Sequence, residues 1–226
     1  MFRRVTIYLL LLFFSGVFLP ACTVNVDTPL SKTFGFTTFE NMGEIRRRNV
    51  FIGLYIPSEF RNLTLEQQLR NGNFRFPVGE AFATKLVKAL SYNFDRIRIM
   101  KKPDDFGAQR PDAVMRIELQ DADLNVTATP GFATVDASSY LRFAVRAQLT
   151  EPGGRVVWVG AATSKGEYSG QTLLQMRYLE AGHYYAIGVD LALENAVADL
   201  VRQITQSENM QKNLDQWERE KTTSKG

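Results

Sequence analysis

The sequence predicts an α+β fold: a mainly antiparallel sheet with two amphipathic helices packed on one face. Three patterns carry this reading. In Ala113 to Leu119, the residues Ala113, Met115, Ile117 and Leu119 face one way while Arg116 and Glu118 face the other. In Tyr140 to Leu149, Leu141, Phe143, Val145, Ala147 and Leu149 alternate with Arg142, Arg146 and Gln148. Alternation with period two marks strands that bury one face and wet the other, as antiparallel sheets do. The second pattern has helical spacing: Val78, Phe82, Leu86, Ala89 and Leu90 recur within residues 78–94, and Val189, Leu193, Ala196, Val197, Leu200 and Ile204 fall in one arc within residues 184–207. The third is the run NVFIGLYI, Asn49 to Ile56, apolar on both faces and stopped by Pro57, which suits a buried central strand. Strand, helix, strand, several strands and helix in that order make one domain over residues 49–207.

The elements follow in chain order. Arg3 and Arg4 precede an apolar run from Val5 to Phe18, and Leu19, Pro20, Ala21 and Cys22 come next. This is the layout of a leader over residues 1–21, with a charged start, an apolar middle and a small residue at the cut. The run is about fourteen residues, short of the roughly 20 that cross a bilayer as a helix. Leu19 to Cys22 resembles the lipobox of bacterial lipoprotein precursors, and the chain's one cysteine stands at the place that chemistry requires. The resemblance implies that the Cys22 thiol is diacylglycerylated, that the leader is cut before it, and that the new amino group is acylated. An unmodified, buried cysteine is the alternative. By the same resemblance, Thr23 after the cysteine favours the outer membrane over the inner one.

Residues 22–48 then read as lipid anchor and tether, becoming ordered near Phe34. The basic triplet Arg46 to Arg48 is either a solvated turn or a contact with anionic head groups near the anchor. A polar, amide-rich loop containing Asn71-Gly72 leads to Pro77, which opens the first helix. Arg96 to Met100 is a short strand, and a loop carrying Pro103, Asp104, Asp105, Gly107 and Pro111 follows it. The turn Glu151 to Arg155, EPGGR, joins the strand Tyr140–Leu149 to a third, Val156 to Ala162. An irregular segment rich in Gly, Ser and Tyr precedes the last long helix. Residues 208–226 form a terminal helix extension with Met210, Leu214 and Trp217 at helical spacing, then a frayed polar tail.

Charge and composition exclude several functions. The formal charge of the full chain is +3, and removing Arg3 and Arg4 with the leader brings it close to neutral, so nothing favours nucleic acid. The chain's one histidine, His183, opens the last helix without a nucleophile elbow or free cysteine to serve, which suits a capping or solvent-facing role. One histidine and an acylated cysteine leave no zinc pattern. The stretch Asp121 to Asn125, DADLN, copies the first oxygen ligands of a calcium loop, but Val126 and Phe132 stand where glycine and glutamate belong. It reads instead as the end of a strand entering a polar turn. Asp104 and Asp105 read as loop residues. No cofactor, metal site or catalytic residue is expected.

Surfaces remain. The segment Thr127 to Ser139 joins two strong strands and carries Pro130, Gly131 and Phe132 near its tip, with Phe132 either folded onto the core or exposed to a partner or membrane. Trp217 poses the same choice between docking onto the body and contacting a partner. Lipobox, tether, strand, amphipathic helix after Pro77, paired strands and closing helix together are similar to small α/β lipoproteins of the Gram-negative envelope, such as lipopolysaccharide-assembly and export-ring lipoproteins. The resemblance implies a non-enzymatic, lipid-anchored periplasmic subunit that assists a transport, export or outer-membrane assembly complex. The alternatives are a carrier holding a lipid or glycolipid between sheet and helices, and a hydrolase.

Overall fold

The chain is described by a computed structural model covering residues 24–31, 47–70, 72–132, 134–173 and 178–223. Cys22, the leader and Phe34 lie outside the described residues. In chain order the elements are β1 (Asn25–Asp27), β2 (Arg48–Tyr55), α1 (Ser58–Arg61), β3 (Leu65–Leu69), β4 (Gly72–Phe76) and α2 (Val78–Asn93). There follow β5 (Phe94–Met100), β6 (Ala113–Pro130), β7 (Thr134–Thr150), β8 (Val156–Leu173), α3 (Tyr178–Gln206) and α4 (Glu208–Thr223). This is an α+β fold with two mixed sheets.

The larger sheet has the order β5-β2-β6-β7-β8. β2 is parallel to both its neighbours, and the long ladders β6–β7 and β7–β8 are antiparallel. β2 is central, so Val50, Ile52 and Leu54 are buried on one face while Phe51 is buried on the other, beneath the guanidinium groups of Arg96 and Arg98 at 4.8 and 5.2 Å from its ring. β7 turns Leu141, Phe143, Val145, Ala147 and Leu149 to the helices, as the alternation predicts. On α2 the predicted stripe Val78, Phe82, Leu86, Ala89 and Leu90 is wholly buried. Phe82 meets Phe143 at 5.2 Å, and Phe60 of α1 stacks on Phe82 at 5.4 Å. The α3 stripe is buried on the same face.

Several elements differ from the expectations. The strands of the long hairpins run much further: β6 continues through Asp121 to Asn125 to Pro130, and β8 absorbs most of the Gly/Ser/Tyr segment. The DADLN stretch is therefore mid-strand, with Asp121 paired to Arg142 at 2.7 Å, and no polar turn is there. A bulge between Leu119 and Asp121 had hidden this, because the extra residue Gln120 shifts the inward phase from odd to even positions and puts Val126 in the core. On β8 the inward positions Ser164 and Gly166 are small because α3 lies almost on the strand. The Ser164 hydroxyl donates to Ala192 O at 2.7 Å, and a Cβ on Gly166 would come within 2.0 Å of Gly188 O.

The amide-rich loop is in fact α1 and a hairpin of β3 with β4, for which Asn-Gly is a recognised turn signal. This hairpin and β1 form a second sheet, order β1-β4-β3, with β1 parallel to β4. Of the expected tether over residues 22–48, the described residues 24–31 and 47–48 belong to the fold. Residues 25–30 alternate strictly, with Val26, Thr28 and Leu30 buried and Asn25, Asp27 and Pro29 exposed. The tail beyond Trp217 stays helical to Thr223 and is held to the body.

Candidate functional site

The strands give the molecule two ends. The β6–β7 ladder closes at Pro130 opposite Val135, the β7–β8 ladder reaches Thr134 opposite Leu173, and α3 starts soon afterwards. We call this the tip end. The far end holds the starts of β2 and β6, the turn from Glu151 to Arg155, and α4.

At the tip end, residues 24–31 run down beside α3. Val24 O accepts from Asn73 N at 2.9 Å, and Thr28 N donates to Arg75 O at 2.8 Å. A Cβ on Gly182 would touch both Val26 and Thr28. Lower down, Ser31 N donates to both carboxylate oxygens of Asp190, at 3.0 and 2.9 Å. Asp190 also sits 3.5 Å from the ammonium of Lys85, a fully buried lysine on α2. Burial raises the Asp190 carboxyl above its ordinary value, with the Ser31 N–H and the Lys85 charge pulling the other way. The segment that follows Cys22 is therefore clamped to the body, and only Thr23 and Val24 separate Cys22 from β1.

The hairpin tip settles the choice posed for Phe132. Pro130, Gly131 and Phe132 are all exposed, and Phe132 has a relative accessibility of 106 %. Gly131 N donates to Thr134 O at 2.7 Å, closing the ladder just beneath it. Trp217 goes the other way. It is buried on α4 with Met210 and Leu214, and its indole N–H donates to Glu151 Oε1 at 3.1 Å, so it docks the helix onto the body.

The far end is a network of charges. The Arg48 guanidinium donates to Asp215 (2.7 Å), Glu218 (3.0 Å) and Gln211 (2.8 Å) of α4, and Asn49 N donates to Glu218 at 2.8 Å. Lys221 pairs with Asp112, which also accepts from Phe51 N at 2.7 Å. Arg155 pairs with Glu151; its hydrogen bond, aided by the Trp217 N–H, holds the Glu151 carboxyl below its ordinary value against the effect of burial. An open cleft of about 560 Å³ here is lined by Arg110, Asp112, Glu151, Arg155, Trp217 and Glu220. Arg47 pairs with Asp95 at 3.5 Å. The head-group reading of Arg46 to Arg48 is therefore corrected for the two described members: Arg48 clamps α4, and both lie at the end opposite β1. Arg46 is outside the described residues.

His183 is exposed in the early turns of α3, and Asp104 and Asp105 are exposed in their turn. Among the described residues no group of three or more His, Cys, Asp or Glu could hold a metal, and no helix is long and apolar enough to cross a membrane. Between the larger sheet and α2, where a carried lipid would lodge, Phe60, Phe82 and Phe143 fill the space. Sequence reasoning singled out Phe132, which the structure exposes, but missed the clamped segment, although the alternation of Val26, Thr28 and Leu30 was there to be seen; Cys22 lies outside the described residues.

No protein-family model matches the chain, and no curated protein matches it. Among solved structures it is similar to a neuraminyllactose-binding hemagglutinin homolog from Helicobacter pylori, with 10% identity and a TM-score of 0.43 over 87% of this chain and 99% of that one. A minor lipoprotein from Acinetobacter baumannii gives 14% identity and a TM-score of 0.33 over 75% of this chain and 94% of that one. A lipoprotein from Neisseria meningitidis gives 12% identity and 0.29 over 70% and 99%. Scores this low do not establish a shared fold.

Proposed function

We propose that this chain is a lipid-anchored protein of the bacterial envelope, acylated on Cys22, which works by binding as an accessory or assembly subunit of a transport, export or outer-membrane biogenesis complex. The supporting observation is the position of the lipobox against the fold. The first strand begins at Asn25, three residues after Cys22, so a chain cut before Cys22 and acylated there has almost no slack between lipid and body. Two or three acyl chains hold a protein to a bilayer stably, where one gives only marginal binding. Confinement of this kind raises the effective concentration at any neighbour in the membrane, and weak contacts then suffice.

Palmitate labelling in cells tests the anchor. Label is expected in the wild-type chain and absent from Cys22→Ala, which should also leave the detergent phase on partitioning. An unlabelled wild type, or label that survives the substitution, would remove the basis for the reading.

A further inference from the structure

The path of residues 24–31 fixes which end of the molecule faces the bilayer. α3 runs antiparallel to β8: Gly188 lies against Ser139 and Tyr168, Ala192 against Ser164 and Gly166, and Gln203 donates to Ala161 O at 2.8 Å. Gly182, six residues nearer the tip than Gly188, is therefore roughly 9 Å higher. Val26 and Thr28 pack at that level, while Ser31 is lower, at Asp190. The chain thus climbs toward the tip as it is traced back to its start. The four residues from Val26 to Cys22 reach at most about 14 Å when extended, and Val24 is already held in place by Asn73. An acyl group on Cys22 would therefore start within about 7 Å of Val24, at the tip end.

The long strands at that end are poor in charge, although Glu180 of α3 and Asp27 of β1 are exposed beside them. From Val126 to Tyr140 the one charged residue is Asp136, and Tyr168 to Leu173 of β8 has none. The most exposed apolar side chain there is Phe132. Arg70, exposed just after β3 and ahead of Asn73, which binds Val24, supplies a cation at the same end. We infer that the β6–β7 tip is a second membrane contact, with Phe132 entering the interface of the bilayer that holds the acyl chains of Cys22 and Arg70 meeting its phosphates. An aromatic ring gains by leaving water for the head-group region, and an anchor beside it removes most of the entropy of finding the surface. Lipid and tip together hold the domain in one orientation, which a single flexible tether could not do. This inference rests on the anchor reading of Cys22.

The test uses full-length, processed protein reconstituted into phosphatidylethanolamine and phosphatidylglycerol vesicles, some carrying brominated acyl chains. Phe132→Trp adds a reporter at the tip, and Gly153→Trp adds one at the far-end turn; the native Trp158 and Trp217 are buried and give a constant background. Phe132→Trp is expected to shift to the blue on reconstitution and to lose its added emission to the bromines, whereas Gly153→Trp does neither. Equal quenching at both sites, or an unshifted and unquenched Phe132→Trp in protein that floats with the vesicles, overturns the inference and leaves the anchor standing. A shift seen in native membranes but not in vesicles assigns the tip to a protein partner and overturns it as well. Protein that does not float with the vesicles, although cut at Cys22, defeats the anchor reading and this inference with it.

Discussion

Gly166 offers the sharpest test of how α3 is seated on β8. Replacing a strand glycine by alanine ordinarily stabilises a protein by roughly 0.5–1 kcal/mol, since the unfolded chain loses freedom. Here a Cβ would stand 2.0 Å from Gly188 O, 2.4 Å from Ala192 N and 3.0 Å from Ala192 Cα. All three are backbone atoms, so no side chain can swing aside and the helix itself must move. Overpacking of this kind costs about 1–3 kcal/mol and sometimes more. The steric term exceeds the entropic gain, and Gly166→Ala is expected to lose about 2 kcal/mol. For a chain of this size, that lowers Tm by roughly 4–8 °C. Gly153→Ala is the control, because nothing lies within 4 Å of its Cβ, and it should change stability by no more than about 0.5 kcal/mol. Urea and thermal unfolding followed by circular dichroism, on chain expressed from residue 23 onward, measure both. A Gly166→Ala protein as stable as the wild type would mean that α3 does not approach β8 through this seam.

Two further outcomes follow from the clamps. Asp190→Ala leaves the buried Lys85 ammonium without this carboxylate and Ser31 N without its acceptor, so it should cost about 3 kcal/mol, at the low end for a broken buried pair because Asp190 keeps some solvent contact; hydrogen exchange should quicken at residues 26–31, and unchanged protection there would refute the clamp. Glu151→Gln keeps an acceptor for the Trp217 indole but not the charge facing Arg155. The folded Glu151 titrates below its ordinary value of 4.5, so its contribution is full above that pH and fades as pH falls through the lowered value. Wild type and Glu151→Gln should accordingly differ in Tm at neutral pH and converge in acid, and a gap that stays constant with pH would assign the effect to something other than charge.

The legible parts of this fold are those where one partner layer does all the burying. The α2 and α3 stripes and the Leu141 to Leu149 alternation could be read because apolar side chains face a single layer and water lies opposite. β8 beyond Ala162 could not, since the inward residues Ser164 and Gly166 are chosen for closeness to a helix backbone and carry no apolar signal. β6 beyond Leu119 was hidden by the one-residue phase change at Gln120. Residues 25–31 were passed over because a stretch directly after a lipid-bearing cysteine suggests a tether, although Val26, Thr28 and Leu30 alternate as a strand requires. At the tip, Phe132 could be singled out from sequence, but its exposure could not, because it depends on how far the paired strands extend beyond the core.

The distribution of charge along the strands bears on how deep such a tip could go. The far end concentrates Arg48, Asp112, Glu151, Arg155, Asp215, Glu218 and Lys221 in mutual pairs, and the outer face of the sheet carries the Arg142–Asp121 pair about halfway up. Asp123 and Glu167 stand just above that pair, and beyond them only Asp136 remains on these strands, opposite Thr129 and bonded to Gln171 at 3.1 Å. A carboxylate does not leave water cheaply, so Asp136 sets a floor: four residues of strand and turn, at most roughly 14 Å, separate it from Phe132. That allowance matches the 5–10 Å at which interfacial aromatic groups settle and falls well short of the hydrocarbon midplane. With the tip at the interface, a β6 strand of 18 residues at about 3.3 Å per residue carries the α4 end roughly 50–60 Å from the bilayer. Partners contacting the cleft beside Trp217 would therefore meet this protein well clear of the head groups, where its ion pairs stay in water.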